Sequence, residues 1–566
     1  MTDASVTDRS RDEIVQDHFD YIVIGAGSAG CVLANRLSAD ASVSVLLVES
    51  GPSDDSLFVR MPRGIGVLLT PGNERLFTYE ARQGGNRKTE TWVKGRTLGG
   101  SSSVNGMVYI RGAPRDFDGW EAGGCTGWGW EEMRHRFVEL EDHELGAGLD
   151  RGVGGPLKIT VPEFGDPMSE ALIAGAGELG APRTRDINDR ASVDDGGFGY
   201  QPVTIHNGSR FSAAKAFIHP IRKRANLTVV SETHALRLLF EGTRVTGVRL
   251  RDKAGQRDVT CGREVILSAG AVETPKLLQL SGIGPRDLLT SLGIDVVAEA
   301  PNVGKNLIEH RYLSIQHRSR APSQNEKLRG PAMLGSLLTY LFTGKGPMTR
   351  GAYEGGGFIK TDPSLEHPDI QIGVGLFSMA EMGMSLDGAP EPKPGETPKP
   401  PKMQVDSAPG VSVGGYFTQP KSRGEMRIRS ADPDAPPIID ANYFSHPDDR
   451  AHSIAMVRWI RKLMQTKAVR PLIVEELVPG PACETDDEII EAFLTLGTTA
   501  FHVAGTCRMG SDEGSVVDPR LRVRGVSGLR VMDTSVMPTL VSGNTNAATQ
   551  AMALHAAALI LEDAAA

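Results

Sequence analysis

Apolar positions first fall into order in "DYIVIGAGSAGCVLANRLSAD", which starts at Asp20. Residues 21–24 form an unbroken β-rich run, the pattern of a strand buried on both faces. "CVLANRL" then shows helical periodicity, and "SVSVLLVE" is a second apolar run that ends in Glu49. Together they predict a strand–helix–strand unit around a parallel pair. "LSAGAVETPKLLQLSGIGP", from Leu267 to Pro285, predicts a strand end, a turn and a helix. That helix is expected to start near Thr274–Pro275, where proline suits the first turn, and to stop at Gly282. "HPDIQIGVGLF" from His367 and "GVSVGGYF" from Gly410 predict strands. Gly373, Gly375, Gly414 and Gly415 lie on those strands, where they either mark bulges or sheet twist or, if they face a ligand, leave room for a bulky one. "AMALHAAALILEDAAA", after Gln550, predicts a helix packed inside the protein, although His555 interrupts it. No run of about 18 apolar residues occurs, so no membrane span is expected.

Composition narrows the class. The 566 residues suffice for more than one compact domain, and 40% hydrophobic with 23% charged residues is a globular balance. A net charge of -9 argues against nucleic acid as a partner. The five cysteines, Cys31, Cys125, Cys261, Cys483 and Cys507, are scattered without a CxxC spacing, so no metal site is expected. The polar, acidic start "MTDASVTDRSRDEIVQDHFD" has no apolar core and does not read as a signal peptide. A reduced, cytoplasmic location is therefore expected. "LDGAPEPKPGETPKPPKM", with six prolines from Pro390 to Pro401, is expected to be a stiff exposed loop over 386–403, either a lid or a surface decoration.

The first unit also carries chemistry. Gly25, Gly27 and Gly30 stand in GxGxxG spacing between strand and helix. The first permits a sharp turn, the second lets a pyrophosphate approach the backbone, and the third lets helix and strand pack closely. The helix start at Ser28 offers free amides to phosphate, and Glu49 can accept from a ribose. The motif alone does not separate FAD from NAD. "KGRTLGGSSSVNGMVYIRG", Lys94 to Gly112, is glycine-rich but passes into an apolar, strand-like run, which suggests backbone lying against a flat ligand. Near the other end, "FHVAGTCRMG" from Phe501 sets Cys507 five residues after His502. That pair could be a nucleophile with its base, part of a metal site, or neither.

These segments resemble the signatures of the glucose-methanol-choline (GMC) oxidoreductases. "HVAGTCRMG", "LRVMDTSVMP" and "SGNTNAATQAMALHAAALI" resemble the family's closing segments, so the likeness runs from about residue 18 almost to the end. It implies a mixed α/β (α+β) fold, in which a Rossmann-like FAD-binding domain is joined to a substrate domain built on an antiparallel sheet. The FAD domain is expected over 18–160, 216–315 and 500–566, and the substrate domain over 161–215 and 316–499. The implied reaction is oxidation of an alcohol, primary by preference, to the aldehyde, with hydride passing to flavin N5 and then to oxygen or another acceptor. His502 falls on the family's catalytic histidine, and Asn544 on the position that members fill with His or Asn. The chemistry agrees: a histidine takes the hydroxyl proton, and an amide steadies the developing alkoxide. Cys507 is then read as buried and inert.

The resemblance also places Asn105, Gly106, Met107 and Val108 under the isoalloxazine ring, Ala235 at the adenine through its backbone, and Asp533 and Thr534 at the ribityl–phosphate part. Leu98, Gly100 and Asn546 complete the candidate cofactor contacts. Some members attach FAD through a histidine at the position held here by Val104, so the FAD is expected to be non-covalent. Two further readings stay open: a flavin-containing lyase of the hydroxynitrile lyase or photodecarboxylase type, and a protein that retains FAD without turnover.

Overall fold

A computed structural model describes residues 16–70, 72–84, 89–381 and 404–566. The proline-rich stretch expected as a loop over 386–403 lies outside the described residues.

Two seven-stranded sheets organise the chain. The first has His18–Ile24 at its centre, paired in parallel with Val45–Val48 on one side and Gly255–Leu267 on the other. Leu227–Val230 extends it beyond Val45–Val48, and Leu529–Val531 pairs in parallel with the end of Gly255–Leu267. His234–Glu241 and Arg244–Asp252 join as antiparallel strands at the far edge. All four residues of Val45–Val48 are buried, as a central parallel strand between two layers requires. The helix Ser28–Leu37 lies against this sheet and is nearly all buried, because Thr545–Ala565 packs along its other side. That last helix is buried at Thr545, from Ala547 through Ala557 and again at Ile560. His555 is accommodated by an edge-on contact with Trp128 at 4.7 Å and a 3.1 Å pairing with Glu132.

The second sheet is antiparallel throughout, in the order Ile473–Val478, Arg311–Ser319, Gly410–Phe417, Ile370–Gly375, Gly355–Ile359, Gly197–Tyr200, with Thr498–Thr499 also on Arg311–Ser319. Gly410–Phe417 is buried at every position, with the helix Pro447–Met464 packed against it. Arg311–Ser319 belongs wholly to this sheet, so the boundary expected between 315 and 316 falls inside a strand.

Three local expectations change. The helix near Pro275 spans Gly270–Leu280, so the proline sits inside it rather than at its first position. The carbonyl that Pro275 cannot bond, that of Ala271, accepts instead from Oγ1 of Thr506 at 2.7 Å. The apolar run after Asn105 is not a strand. It makes one isolated bridge, Val108 to Val203, because Met107 has φ 63° and breaks the extended path. The strand glycines do not leave open space. A side chain at Gly373 would meet the ring of Tyr353 at 3.1 Å, and one at Gly414 the hydroxyl of Tyr312 at 2.4 Å.

Candidate active site

A single cavity of about 1340 Å³ runs from the first sheet to the face of the second. Its deep end is built by the turn after the first strand. Gly25 has φ 98°, and a Cβ there would lie 2.6 Å from the carbonyl of Ser268. Gly27, Ser28 and Ala29 then bring the start of the helix onto the cavity wall. Glu49 ties this turn to the second strand: its Oε2 accepts from the amide of Ala26 (3.1 Å) and its Oε1 from that of Gly51 (2.9 Å). Burial pushes this carboxyl up to about 7 in spite of those two amides. Ser28 Oγ donates to Asn546 Oδ1 at 2.7 Å, so the two ends of the chain meet at the helix start.

Of the candidate cofactor residues, Gly25, Gly27, Ser28, Glu49, Gly100, Asn105, Gly106, Met107, Val108, Ala235, Asp533, Thr534 and Asn546 all line this cavity. Gly30 and Leu98 stand behind its wall. A Cβ on Gly30 would lie 1.9 Å from the carbonyl of Gly25, so its role is close packing of helix on strand. Leu98 is buried in the main core. Asp533 faces the cavity, but its carboxylate is engaged by protein: Oδ2 accepts from the Gly270 amide and Thr274 Oγ1, and Oδ1 from the Ser535 amide. The Asn105 loop is anchored by a residue the sequence did not suggest. Arg210 Nη1 donates to Asn105 O and Oδ1 and to Ser102 O, and burial pulls this guanidinium down to about 9.

At the other end lie His502 and Asn544, and their neighbours determine what they can do. His310 Nε2 faces the carbonyl oxygen of Thr418 at 2.9 Å. A carbonyl only accepts, so the hydrogen of neutral His310 is on Nε2, and its Nδ1 carries a lone pair. That Nδ1 is 2.9 Å from His502 Nδ1, which must therefore donate. His502 Nε2 is then left unprotonated and accepts from Asn544 Nδ2 at 3.0 Å. Asn544 Oδ1 accepts in turn from Gln371 Nε2 (3.0 Å), and Gln371 Oε1 from the hydroxyl of Tyr416 (2.6 Å). Burial holds both histidines neutral, with His310 pulled down to about 4 and His502 well below its ordinary range. His310 also stacks on Tyr416, with centroids 4.3 Å apart.

The backbone around His502 is clamped. Phe501 has φ 65°, an uncommon conformation for a bulky residue. Lys94 Nζ donates to the Phe501 carbonyl at 2.6 Å, and the His502 amide donates to Glu309 Oε1 at 2.8 Å. Burial drives Glu309 up and Lys94 down, and each opposes the other's shift. Thr534 Oγ1 holds the Val503 carbonyl at 2.9 Å. Asn544 directly precedes the helix Thr545–Ala565, so the site also feels the positive end of that helix.

Cys507 takes no part. It is fully buried, its thiol is pushed well above the ordinary value by burial, and the partners of His502 are His310 and Asn544. None of the five cysteines lines the cavity. Among the described residues no group of three His, Cys, Asp or Glu is placed to hold a metal ion, and no helix is long and apolar enough to cross a membrane. Beyond His502 the wall is formed by Tyr312, Tyr353, Tyr416 and Phe377, aromatic residues that the sequence had not assigned to a site.

A parallel sheet with a dinucleotide-type glycine turn, an antiparallel sheet, and a polarised histidine on the cavity between them define the class of nucleotide-cofactor oxidoreductases. The chain belongs to the GMC oxidoreductases: the family's N-terminal part matches residues 19–312 and its C-terminal part residues 420–553. It is 38% identical over 557 residues to an alcohol dehydrogenase [acceptor] of Pseudomonas putida, covering 96% of each chain. It is 37% identical over 572 residues to the mitochondrial choline dehydrogenase of Homo sapiens, covering 98% of this chain and 91% of the relative. Pyridoxine 4-oxidase from Mesorbium loti has a similar solved structure, with a TM-score of 0.83, 29% identity, and 95% and 98% of the two chains covered. A variant of formate oxidase from Aspergillus oryzae, solved in connection with FAD modification, gives a TM-score of 0.87 at 26% identity, with 97% and 99% covered. The protein is thus an oxidoreductase acting on CH–OH donors, and the family implies FAD. The lyase reading receives no support from these relatives.

The residues present fit that cofactor. The cavity exceeds the roughly 300–1,000 Å³ of ordinary ligand pockets, as a dinucleotide together with a substrate requires. A Cβ on Gly27 would meet nothing closer than the Ser268 carbonyl at 3.9 Å, which leaves the backbone open to a phosphate.

Proposed function

We propose that this enzyme oxidises an uncharged, largely apolar primary alcohol to its aldehyde, with His502 as the base. The observation that carries this reading is the one-way hydrogen-bond chain from Thr418 through His310, which leaves the lone pair of His502 Nε2 on the cavity side. His502 Nε2 and Asn544 Nδ2 are 3.0 Å apart and both residues line the cavity, so one hydroxyl can engage the two together. Its proton goes to His502, while its oxygen accepts from Asn544, which steadies the charge as the proton leaves. When bound, FAD supplies the two-electron acceptor for the hydride. Gly25, Gly27, Ser28, Glu49 and Asn546 hold its nucleotide end, Asn105–Val108 its ring end, and no residue at Val104 can attach it covalently.

The substrate class follows from charge. Among the described residues, the carboxylates lining the cavity are Glu49, Glu273, Asp434 and Asp533. Glu273 accepts from Tyr79 and Asp434 from Arg251, and the other two engage backbone amides of the cofactor end. The wall beside His502 offers tyrosines, and its cations are Lys94 and Arg63. Among the described residues, a quaternary ammonium substrate such as choline would meet no free counter-charge there, whatever the names of the relatives. We further propose that the two sheets correspond to the two functional domains, with the substrate domain resuming at Arg311. The test is a panel of aliphatic, benzylic and quaternary-ammonium alcohols, run anaerobically on the flavin and then with oxygen and with a dye. Flavin bleaching by uncharged primary alcohols and not by choline is expected. Preferential bleaching by choline would overturn the substrate assignment, and bleaching by no alcohol would overturn the reaction.

A further inference from the structure

The helix Gly330–Thr343, "GPAMLGSLLTYLFT", has no charged residue along its 14 positions. Tyr340 and Leu337 face inward and pack with Leu57, Met61 and Met348. The outward face is apolar too: Leu334 is 57% exposed, Leu338 44%, Leu341 49% and Phe342 84%. Residues spaced i, i+4, i+7 and i+8 share one side of a helix, so these four form a single stripe where a water-facing helix would carry charges. Phe58 (39% exposed) and Val67 (46%) lie on the neighbouring short helices Leu57–Arg60 and Ile65–Leu68, which extends the patch. Contiguous apolar surface of this kind marks a contact face.

We propose that this face docks on an anionic phospholipid bilayer. Two further observations select that occupant. The first is charge. The molecule carries -9 overall, yet the patch is edged by Lys327, Arg329, Lys345 and Arg60 against Glu326, and none of the four cations forms an ion pair with a described residue. Basic residues bordering an apolar stripe suit acyl chains beneath anionic headgroups. A second copy suits it less. A twofold contact uses the same patch twice, and so sets these cations against themselves.

The second observation is continuity with the cavity. Met333 and Leu334 on this helix, and Phe58 and Val67 across from it, line the same cavity that reaches His502. A second copy seated here would cover that entrance, whereas a bilayer surface leaves it opening into the acyl layer. The helix spans about 21 Å at 1.5 Å per residue, short of the roughly 30 Å hydrocarbon core, so it lies on the membrane rather than through it.

The experiment is co-flotation of the full-length, FAD-loaded enzyme with phosphatidylcholine vesicles, with and without phosphatidylglycerol, alongside light scattering of the enzyme alone. Binding to the phosphatidylglycerol vesicles, weakened by added salt, is expected. Leu338→Ser/Leu341→Ser/Phe342→Ser should lower the bound fraction roughly tenfold or more, and Lys327→Glu/Lys345→Glu should abolish the preference for the anionic lipid. None of these residues lines the cavity, so flavin content and turnover of a water-soluble alcohol should be unchanged and report that both variants fold. Absence of native enzyme from every vesicle fraction would overturn the proposal, as would equal flotation of the serine variant. A native dimer that the serine variant converts to monomer would assign the face to a second copy instead.

Discussion

In the chain Thr418–His310–His502–Asn544–Gln371–Tyr416, every member but one can reverse. Imidazoles change tautomer, amides flip and a hydroxyl rotates, but the Thr418 carbonyl can only accept. It therefore fixes the direction of the whole chain and keeps His502 Nε2 unprotonated. His310→Phe keeps a flat ring against Tyr416 and removes both nitrogens. It orphans the buried Nδ1–H of His502 and the Thr418 carbonyl, at about 1–3 kcal/mol each. In the variant only the productive tautomer carries that orphaned N–H, so it becomes disfavoured by the same amount against the other tautomer, which corresponds to roughly a 5- to 150-fold fall in reactive enzyme. Anaerobic stopped-flow reduction of the flavin at saturating alcohol measures this directly, and thermal unfolding of the loaded enzyme reports the stability cost separately. His310→Asn sets an amide oxygen near the lost Nδ1 and should recover part of the rate, whereas His310→Leu should not. Flavin reduction in His310→Phe within about twofold of native would refute the reasoning, because the carbonyl anchor would then have no bearing on the base.

His502→Ala should lower kcat/KM by roughly 10²-fold or more while flavin stays bound, as a steady-state assay and the absorbance spectrum will show. Burial, and then the neighbouring His310 and Lys94, depress His502, so the unprotonated form persists below its ordinary value of 6.5. The pH profile of kcat/KM should accordingly stay level through neutrality and fall only on the acid side of 6.5; an acid limb centred near or above 7 would contradict that. With Val104 at the position of the family's covalent link, acid precipitation should release all the yellow colour to the supernatant, and a yellow pellet that fluoresces on a denaturing gel would show otherwise.

The strand–turn–helix–strand unit was legible because its parts are consecutive. Gly25, Gly27 and Gly30 act through one turn, and Glu49 follows on the next strand. His502 and Asn544, which the structure brings together, were singled out through family resemblance, since nothing local distinguishes that histidine. The rest of the chain was not. Gln371 and Tyr416 meet because strands Ile370–Gly375 and Gly410–Phe417 pair in one register, where the two residues stand directly opposite. His310 joins them from the position just before a third strand, Arg311–Ser319. Period-two alternation announces such strands but not their register, and a one-residue slip would send each side chain to the other face. The misplaced helix start has a similar cause: Pro275 is tolerated inside the helix because Thr506, far along the chain, satisfies the carbonyl it strands.

The bond between Ser28 and Asn546 joins residues 518 positions apart. During synthesis the glycine turn leaves the ribosome long before the helix that covers it. Until that helix arrives, the side of Ser28–Leu37 turned away from the sheet is uncovered and His502 has no Asn544 to pair with. A chain cut short before Asn544 therefore lacks the partner of His502, the cover on the glycine turn and a large share of the core together.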